Sequence, residues 1–387
     1  EIYRTRLKDF ESAIASFEVA SHMDPENLQR HEILAELYLF GGLDKAEKAI
    51  AEHQILIQKA PSKFDSYTAL QKIYMDTKQY DKAWCLCAAL SFLKKADPAE
   101  QQFFQQYRQR GLVRATHKID NETWQRFIYH SSIDQYISAI FAAVSNVIGS
   151  LTARPHKHFK LKRKDRRDFN KDQLLFSKVF SYVTSVVNVG QADLFLKPDQ
   201  PVGLQIVHTT EAPSFIVGAD LLQGRSEKEL AFAIAKQLTY LRPEHFMAAV
   251  FGAAAPLRTV FLSALSACNP QFSVPEAEKA EVEKILKQMR GRLHASQVEQ
   301  LSLIVNEFLK TQGEIDLKKW LGGVEMTATR AGLILCNDLE VAARMVSTEP
   351  AVVGTLPAKE KIKQLVLYGV SEEYFSVRSR LGLNIGQ

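Results

Sequence analysis

The chain has 387 residues, of which 46% are hydrophobic and 24% are charged, as in an ordinary globular protein with a sizeable core. Four cysteines are present, which excludes a dense disulfide framework and favours a reducing, cytoplasmic location. The length predicts two or three domains, and the net charge of +5 is concentrated in one short run.

Residues 1–113 contain a pattern that recurs three times. Each copy combines a small alanine, at which two helices can approach closely, with a proline that ends a helix. The spacings from Pro25 to Pro61 and from Pro61 to Pro98 are 36 and 37 residues. The alanines of the three copies are Ala13, Ala46 and Ala83.

This pattern resembles the tetratricopeptide repeat, whose consensus length is about 34 residues. The first helices of the repeats are predicted over Arg30–Phe40 and Ser66–Thr77. The resemblance implies an α-solenoid whose concave groove binds a protein or peptide partner. The alternative that stays open is that the repeats act only as a spacer.

Residues 114–172 are predicted to connect the repeats to a C-terminal domain. Residues 122–151 carry an apolar stripe at helical spacing, which predicts one long helix with Asn121 as its N-cap. The best candidate for a membrane span lies elsewhere, from Phe246 to Ala267, but it contains a proline and an arginine. We therefore expect buried helices there and no membrane partner.

The connector ends in a basic run from Arg154 to Asp172, with nine Lys or Arg residues and three Asp residues. Such a run indicates an anionic partner, which could be nucleic acid, anionic lipid or an acidic protein surface. No recognition motif accompanies it, which disfavours nucleic acid. The alternative is a solvated linker that begins with an alternating strand. The candidate contacts to an anionic partner are Lys160, Lys162, Arg163, Lys164, Arg166 and Arg167.

Residues 173–387 predict a domain that contains both helices and strands. An amphipathic helix over Gln173–Val189 precedes strands at Gln191–Lys197, Gly203–Thr210 and Pro213–Val217. Helices then dominate the rest of the domain. They are predicted over Ala277–His294, Ala295–Thr311, Leu317–Leu335, Asp338–Ser347 and Lys359–Leu381.

One helix of this domain has the spacing of a metallopeptidase zinc helix without its chemistry. In the H-E-x-x-H motif the two histidines lie on one helix face and bind one zinc, and the glutamate activates the zinc-bound water. Here the three positions hold Lys236, Gln237 and Tyr240. An ammonium repels zinc, an amide is no general base at neutral pH, and a phenol replaces imidazole poorly.

The surroundings of this helix resemble the HtpX-like and CAAX-processing zinc metallopeptidases, which are gluzincins. The likeness includes the segment Gly218–Leu222 before the helix and the segment Glu325–Leu333 after it, and it covers roughly residues 172–345. The second segment resembles the family's E-x-x-A-D-R-x-G-L motif. The resemblance implies a zincin fold in which Glu325 stands at the third zinc-ligand position and Thr329 replaces a supporting aspartate.

The departures from the family motif predict a pseudopeptidase, with no catalytic residues, no metal and no other cofactor. The degenerate active-site positions are Lys236, Gln237, Tyr240, Glu325 and Thr329. We expect Lys236 and Glu325 to form an ion pair in place of the metal. The alternative is that Lys236 extends to solvent.

The sequence thus predicts a mainly α protein, an α-solenoid of tetratricopeptide-like repeats followed by an α+β zincin-like domain with a small β-sheet. The predicted function is that of a non-catalytic adaptor or scaffold, which binds a protein or peptide through its repeats. Two alternatives stay open. One is a metal-dependent peptidase with a relocated site built from His208, Glu244, His245 and Glu325, and the other is a binder of nucleic acid or lipid through Arg154–Lys171.

Overall fold

A computed structural model describes residues 2–40, 42–200, 203–311, 315–349 and 356–386. The described chain is mainly helical and contains a small mixed sheet of four strands, which is the coarse fold expected from the sequence. The chain divides into two compact units, residues 1–110 together with 363–387, and residues 111–362. The expected C-terminal domain extended to residue 387, whereas residues 363–387 group with the N-terminal helices.

The first unit begins with a π-helical turn at Tyr3–Leu7, followed by six helices that each pack on the next one along the chain. The helices are α1 (Phe10–Met23), α2 (Leu28–Phe40), α3 (Ala46–Lys59), α4 (Phe64–Asp76), α5 (Tyr80–Phe92) and α6 (Pro98–Tyr107).

The prolines of the repeated pattern lie between helices. Pro25 and Pro61 lie in the loops that follow α1 and α3, but Pro98 is the first residue of α6, where its missing N–H needs no partner. Asp97 caps this helix by accepting an N–H bond from its first turn at 2.8 Å. The pattern alanines are all buried, and they are Ala13, Ala46 and Ala83.

The second unit begins with a break inside residues 122–151, where the sequence predicted one continuous helix. Asp120, not Asn121, caps the first short helix. The chain leaves helical geometry at Tyr129, and Asp134 then caps a new helix by accepting two backbone N–H bonds at 2.8 and 2.9 Å. The elements are α7 (Asn121–Thr123), a π-helical turn (Trp124–Ile128), α8 (Gln135–Thr152) and α9 (Leu175–Val187).

The sheet has the order β1–β2–β4–β3, with β2 parallel to β4 and the other two pairs antiparallel. The three longer strands correspond to the predicted ones. The two-residue strand at the edge lies in the basic run. The strands are β1 (Arg166–Arg167), β2 (Asp193–Lys197), β3 (Leu204–His208) and β4 (Pro213–Gly218).

Helices make up most of the remaining chain. The predicted closing helix over Lys359–Leu381 is split in two, because the Ser371 hydroxyl accepts the N–H of Tyr374 at 3.3 Å and starts a new helix. The helices are α10 (Ala219–Leu222), α11 (Glu227–Leu238), α12 (Pro243–Phe251), α13 (Ala254–Cys268), α14 (Glu276–Arg290), α15 (Ala295–Lys310), α16 (Leu317–Cys336), α17 (Leu339–Thr348), α18 (Ala358–Gly369) and α19 (Glu372–Leu381).

Helix α19 is attached to α5 within the first unit by a fully buried arginine. Arg378 donates two hydrogen bonds to the carboxylate of Asp81, at 2.8 and 2.7 Å, and a third to the carbonyl of Leu383 at 2.7 Å. Its guanidinium also lies over the ring of Trp84, 5.0 Å from the centroid. The planar fork of arginine satisfies all these partners at once, which a lysine could not do.

The main core of the second unit surrounds α8, which packs against α12, α13 and α15. The ring of Trp320 lies 4.9 Å from that of Phe141, and its indole N–H donates to the Ser138 hydroxyl at 2.9 Å. Among the described residues, α8 is long and apolar enough to suit a membrane span by length and composition, and half of it is buried in the fold. The stretch 246–267 forms parts of α12 and α13.

Helices α11 and α16 cross closely because Gly332 has no side chain. A Cβ at Gly332 would lie 2.8 Å from the ring of Phe232 and 3.1 Å from its carbonyl oxygen. Gly322, on the same helix, has room for a Cβ, since the nearest atom to it is a methyl of Leu356 at 3.5 Å, which is an ordinary van der Waals contact. Alanine substitutions at the two glycines therefore provide a test and a matched control on the same helix.

We expect Gly332→Ala to destabilise the second unit by about 1–3 kcal/mol, because the added methyl overpacks the helix crossing. The control Gly322→Ala should be neutral or stabilising by up to about 1 kcal/mol, because alanine is the better helix former. Urea unfolding followed by tryptophan fluorescence measures both. Equal stability of the two variants would contradict the close crossing at Gly332.

Candidate functional site

Helix α11 is the centre of the candidate site. Ser226 caps it by accepting the N–H of Glu229, whose carboxylate accepts the N–H of Ser226 in return. Every residue from Lys228 to Leu238 is buried. A helix that is buried along this whole length has no solvent for its charged side chains, so each charge needs a partner within the fold.

The first degenerate position, Lys236, is buried and paired with Glu349. Its ammonium lies 2.5 Å from a carboxylate oxygen of Glu349, which follows the end of α17. The predicted ion pair between Lys236 and Glu325 is therefore wrong. The partner of Lys236 comes from the end of α17, a helix that plays no part in the motif from which the pair was predicted.

Glu325, at the predicted third ligand position, is paired with a different lysine. The Lys361 ammonium of α18 donates to its Oε1 atom at 2.7 Å, and the two side chains are 3% and 6% exposed. The second carboxylate oxygen of Glu325 has no hydrogen-bond partner in the described part of the chain. Lys361 was missed from the sequence, because nothing in its neighbourhood marks it as part of a site.

Tyr240 lies next to both pairs. Burial raises the pKa of its phenol well above the ordinary value, and the charges of Glu325 and then Glu349 raise it further. The phenol is therefore neutral at physiological pH. We call Lys236, Glu349, Glu325 and Lys361, together with Tyr240, the ion-pair cluster, and its two ammonium groups balance its two carboxylates.

The two other positions that the sequence predicted to be degenerate, Gln237 and Thr329, are both buried. Gln237 is buried, and its side-chain oxygen has no hydrogen-bond partner among the described residues. The hydroxyl of Thr329 donates to the backbone carbonyl of Glu325, one turn earlier, at 2.7 Å. That bond satisfies the threonine locally and does not orient the Glu325 carboxylate as a supporting aspartate would.

Zinc does not fit this site. Zinc in proteins is bound by thiolate, imidazole and carboxylate groups, and Glu325 is the one residue of these types at the three ligand positions. Lys361 already neutralises that carboxylate. The described ranges contain no group of three or more His, Cys, Asp or Glu residues placed to hold a metal ion.

The residues proposed for a relocated metal site lie in different surroundings. The ring N–H of His208 donates to the carbonyl of Gly149 at 2.9 Å. His245 is fully buried, with its ring 5.0 Å from that of Tyr129, and burial lowers its pKa to about 4. Both histidines are therefore packed side chains of the core around α8 and α12.

A second polar cluster, also missed from the sequence, is centred on Arg242, a few residues after the end of α11. The guanidinium of Arg242 donates to Glu244 at 2.8 Å, to the Tyr129 hydroxyl at 3.1 Å and to the side chain of Asn121 at 3.1 Å. It also lies over the Trp124 ring, 4.9 Å from the centroid. This arginine fixes residues 121–129 to the start of α12, which indicates a structural role.

The basic run is an ordered part of the second unit, not a linker. Its predicted alternating strand is wrong, because the run forms short 3₁₀ turns at His156–Phe159 and Arg163–Asp165 before β1. Leu161 anchors it in a small hydrophobic cluster on one face of the sheet. The predicted contacts are all exposed, and they are Lys160, Lys162, Arg163, Lys164, Arg166 and Arg167.

The first unit contains a groove between its helices. An open cavity of about 670 Å³ is lined chiefly by α4, with Leu39 at the end of α2 on its other side. Its apolar floor includes Ile73, and its rim carries Asp65, Asp76 and Lys72. A groove of this shape can hold an extended peptide, with the acidic side chains at its rim facing basic groups of the ligand.

We expect Lys361→Met to destabilise the second unit by about 3–5 kcal/mol, because it leaves Glu325 buried and charged without a partner. Adding Glu325→Gln should recover most of the loss, since no charge then remains unpaired. Lys359→Met is the matched control on the same helix, because Lys359 is exposed. Urea unfolding measures all three, and a Lys361→Met variant as stable as the native protein would contradict the buried pair.

No protein-family model, no curated protein and no solved structure matches this chain. The resemblances to tetratricopeptide repeats and to zinc metallopeptidases therefore rest on the residues quoted for them, together with the coarse fold. What the chain does has to be inferred from its own groups and their geometry.

Proposed function

We propose that this chain is a non-catalytic adaptor, whose first unit consists of divergent tetratricopeptide repeats that bind a protein or peptide. In this proposal the second unit is a pseudopeptidase, a zincin-like domain in which ion pairs replace the metal. The ion-pair cluster is the single observation that carries the proposal. Three of its members, Lys236, Tyr240 and Glu325, stand at the sequence positions that the resemblance assigns to zinc ligands.

The charges of the cluster oppose metal binding and hydrolysis. A divalent cation at Glu325 would have to displace the ammonium of Lys361 and lie close to that of Lys236. Gln237 cannot take a proton from water at neutral pH, and the raised pKa of Tyr240 keeps its phenol protonated. The position therefore lacks both a Lewis acid and a general base.

Cysteine chemistry does not offer an alternative catalyst. Burial raises the pKa of Cys87 and Cys336 to about 12, and that of Cys85 further. Because the thiolate is the nucleophile, thiols with these pKa values are unreactive at neutral pH. Cys268 is partly buried, and its pKa is also raised by burial.

The adaptor role is supported by the helices of the first unit. The six helices pack successively, and the alanines of the repeated pattern are buried where helices meet. The groove lies between α2 and α4, which are the first helices of two successive predicted repeats. This is the face that solenoid proteins of this type use for peptide ligands.

The first test rebuilds the metal site. We expect the native protein to hold no zinc by elemental analysis. A variant with Lys236→His, Gln237→Glu, Tyr240→His and Lys361→Met should bind about one zinc ion per chain, because both histidines and the freed Glu325 then supply the ligands of a zincin.

The control for this test adds Glu325→Gln to the rebuilt variant, which should abolish zinc binding while circular dichroism stays the same. Stoichiometric zinc in the native protein would overturn the non-catalytic proposal. A folded rebuilt variant that binds no zinc would contradict the zincin-like geometry, although it would leave the adaptor role to the second test.

The second test concerns the groove. Ala69 lines it and is only partly exposed, so Ala69→Arg should fill the groove and weaken binding of a captured partner at least about tenfold. Ala51→Arg is the matched control, because Ala51 is exposed on α3 and does not line the groove. Binding of the purified partner by calorimetry measures both. Equal affinity of the two variants would assign the partner to another surface.

A further inference from the structure

The basic run forms an edge of the second unit. Arg166 and Arg167 pair with β2 as the edge strand β1, and no described strand lies beyond them. Because side chains alternate along a strand, these two arginines point to opposite faces of the sheet. Lys162, Arg163 and Lys164 directly precede this strand, and all three are exposed.

Contacts with the sheet fix the backbone of this basic segment. Leu161 packs against Phe195 and Ile216 of the sheet. The Lys197 ammonium donates to the carbonyl of Lys160 at 2.9 Å and to the carboxylate of Asp165 at 2.5 Å. The basic side chains thus project from a fixed backbone, so that binding through them orders little additional chain.

Each carboxylate in or beside the run already has another partner. Asp165 is paired with Lys197, and both side chains are largely buried, while Asp168 is paired with Lys171 and Asp193 accepts a hydrogen bond from Arg166 at 2.6 Å. Asp172 accepts the hydroxyl of Ser177 at the start of α9. Five exposed basic residues of the run form no ion pair with the described part of the chain, and we call them the basic edge: Lys160, Lys162, Arg163, Lys164 and Arg167.

Two leucines project beside the basic edge. Leu174 and Leu175 begin α9 and are 46% and 45% exposed. Asp172 fixes this turn by accepting the N–H of Leu174 at 3.3 Å, and the same carboxylate experiences the charge of Arg167. The apolar pair therefore lies near Arg167, at the end of the basic edge, although large hydrophobic side chains usually lie inside a fold.

The aromatic residues of the run are not available to a ligand. Phe159 packs against the small hydrophobic cluster, and the ring of Phe169 lies edge-on to that of Phe180, with centroids 4.9 Å apart. Proteins that bind single-stranded nucleic acid stack bases on exposed aromatic side chains, and none is offered here. Exposed leucines near basic side chains instead suit the surface of a bilayer, where the apolar lipid chains lie below charged headgroups.

We infer that the basic edge and the Leu174–Leu175 pair form a peripheral docking site for an anionic phospholipid membrane. The lysines and arginines attract the headgroups, and the two leucines enter the interfacial region. This surface role is independent of the proposed adaptor function, and α8 does not take part in it, because that helix lies in the core.

Flotation of the full chain with vesicles tests this docking site. The native protein should float with phosphatidylcholine vesicles that contain phosphatidylserine and not with phosphatidylcholine alone, and the binding should fall steeply with added salt. A Lys162→Gln, Arg163→Gln, Lys164→Gln variant should bind roughly 100-fold more weakly. A Leu174→Ser, Leu175→Ser variant should bind roughly tenfold or more weakly while its salt dependence stays the same.

The matched control carries Lys279→Gln, Lys284→Gln and Lys287→Gln on the exposed face of α14, which changes the net charge equally. It should float as the native protein does. Equal loss by this control, or no preference for phosphatidylserine, would overturn the docking site. It would also be overturned if the leucine variant bound vesicles normally while the basic edge bound a fluorescent oligonucleotide more tightly than the vesicles.

Discussion

The burial of two lysines on one helix is the constraint on which the second unit depends. Lys228 and Lys236 lie towards the two ends of helix α11, and both are buried. Each therefore needs a carboxylate partner inside the fold. Lys228 pairs with Asp338 at 3.0 Å, and Lys236 pairs with Glu349. Asp338 caps the start of α17 and Glu349 follows its end, so the two pairs attach α17 alongside α11 at both of its ends.

For the proposed pseudopeptidase, the same constraint accounts for a zincin-like helix that holds no metal. A zinc ion links two helices by binding side chains from both, which is a strong and directional cross-link. In this chain the link from α11 runs to α17, and the link from α16 runs to α18 through Glu325 and Lys361. In the proposed pseudopeptidase, these four charged side chains make the helix contacts that a metal would otherwise organise.

The sequence was sufficient for much of the local structure. Periodicity predicted the helices and the three longer strands, because those signals lie within a few residues of chain. It failed where a single capping side chain interrupts a helix. Asp134 and Ser371 are such caps, and each divides one predicted helix in two. It also failed for the partner of Lys236, since pairing depends on which distant segment packs nearby, and neither Glu349 nor Lys361 belongs to a motif.

The ion-pair cluster also restricts which substitutions a sequence of this kind can accumulate. Replacing any one of its four charged residues leaves the charge of its partner buried and unpaired, whereas replacing both members of a pair does not. Related chains should therefore vary at Lys236 and Glu349 together, and at Glu325 and Lys361 together, with few intermediates. If the proposed pseudopeptidase arose from a hydrolase, the same effect opposes its return, because each first step towards a histidine is penalised by instability before any catalytic advantage can arise.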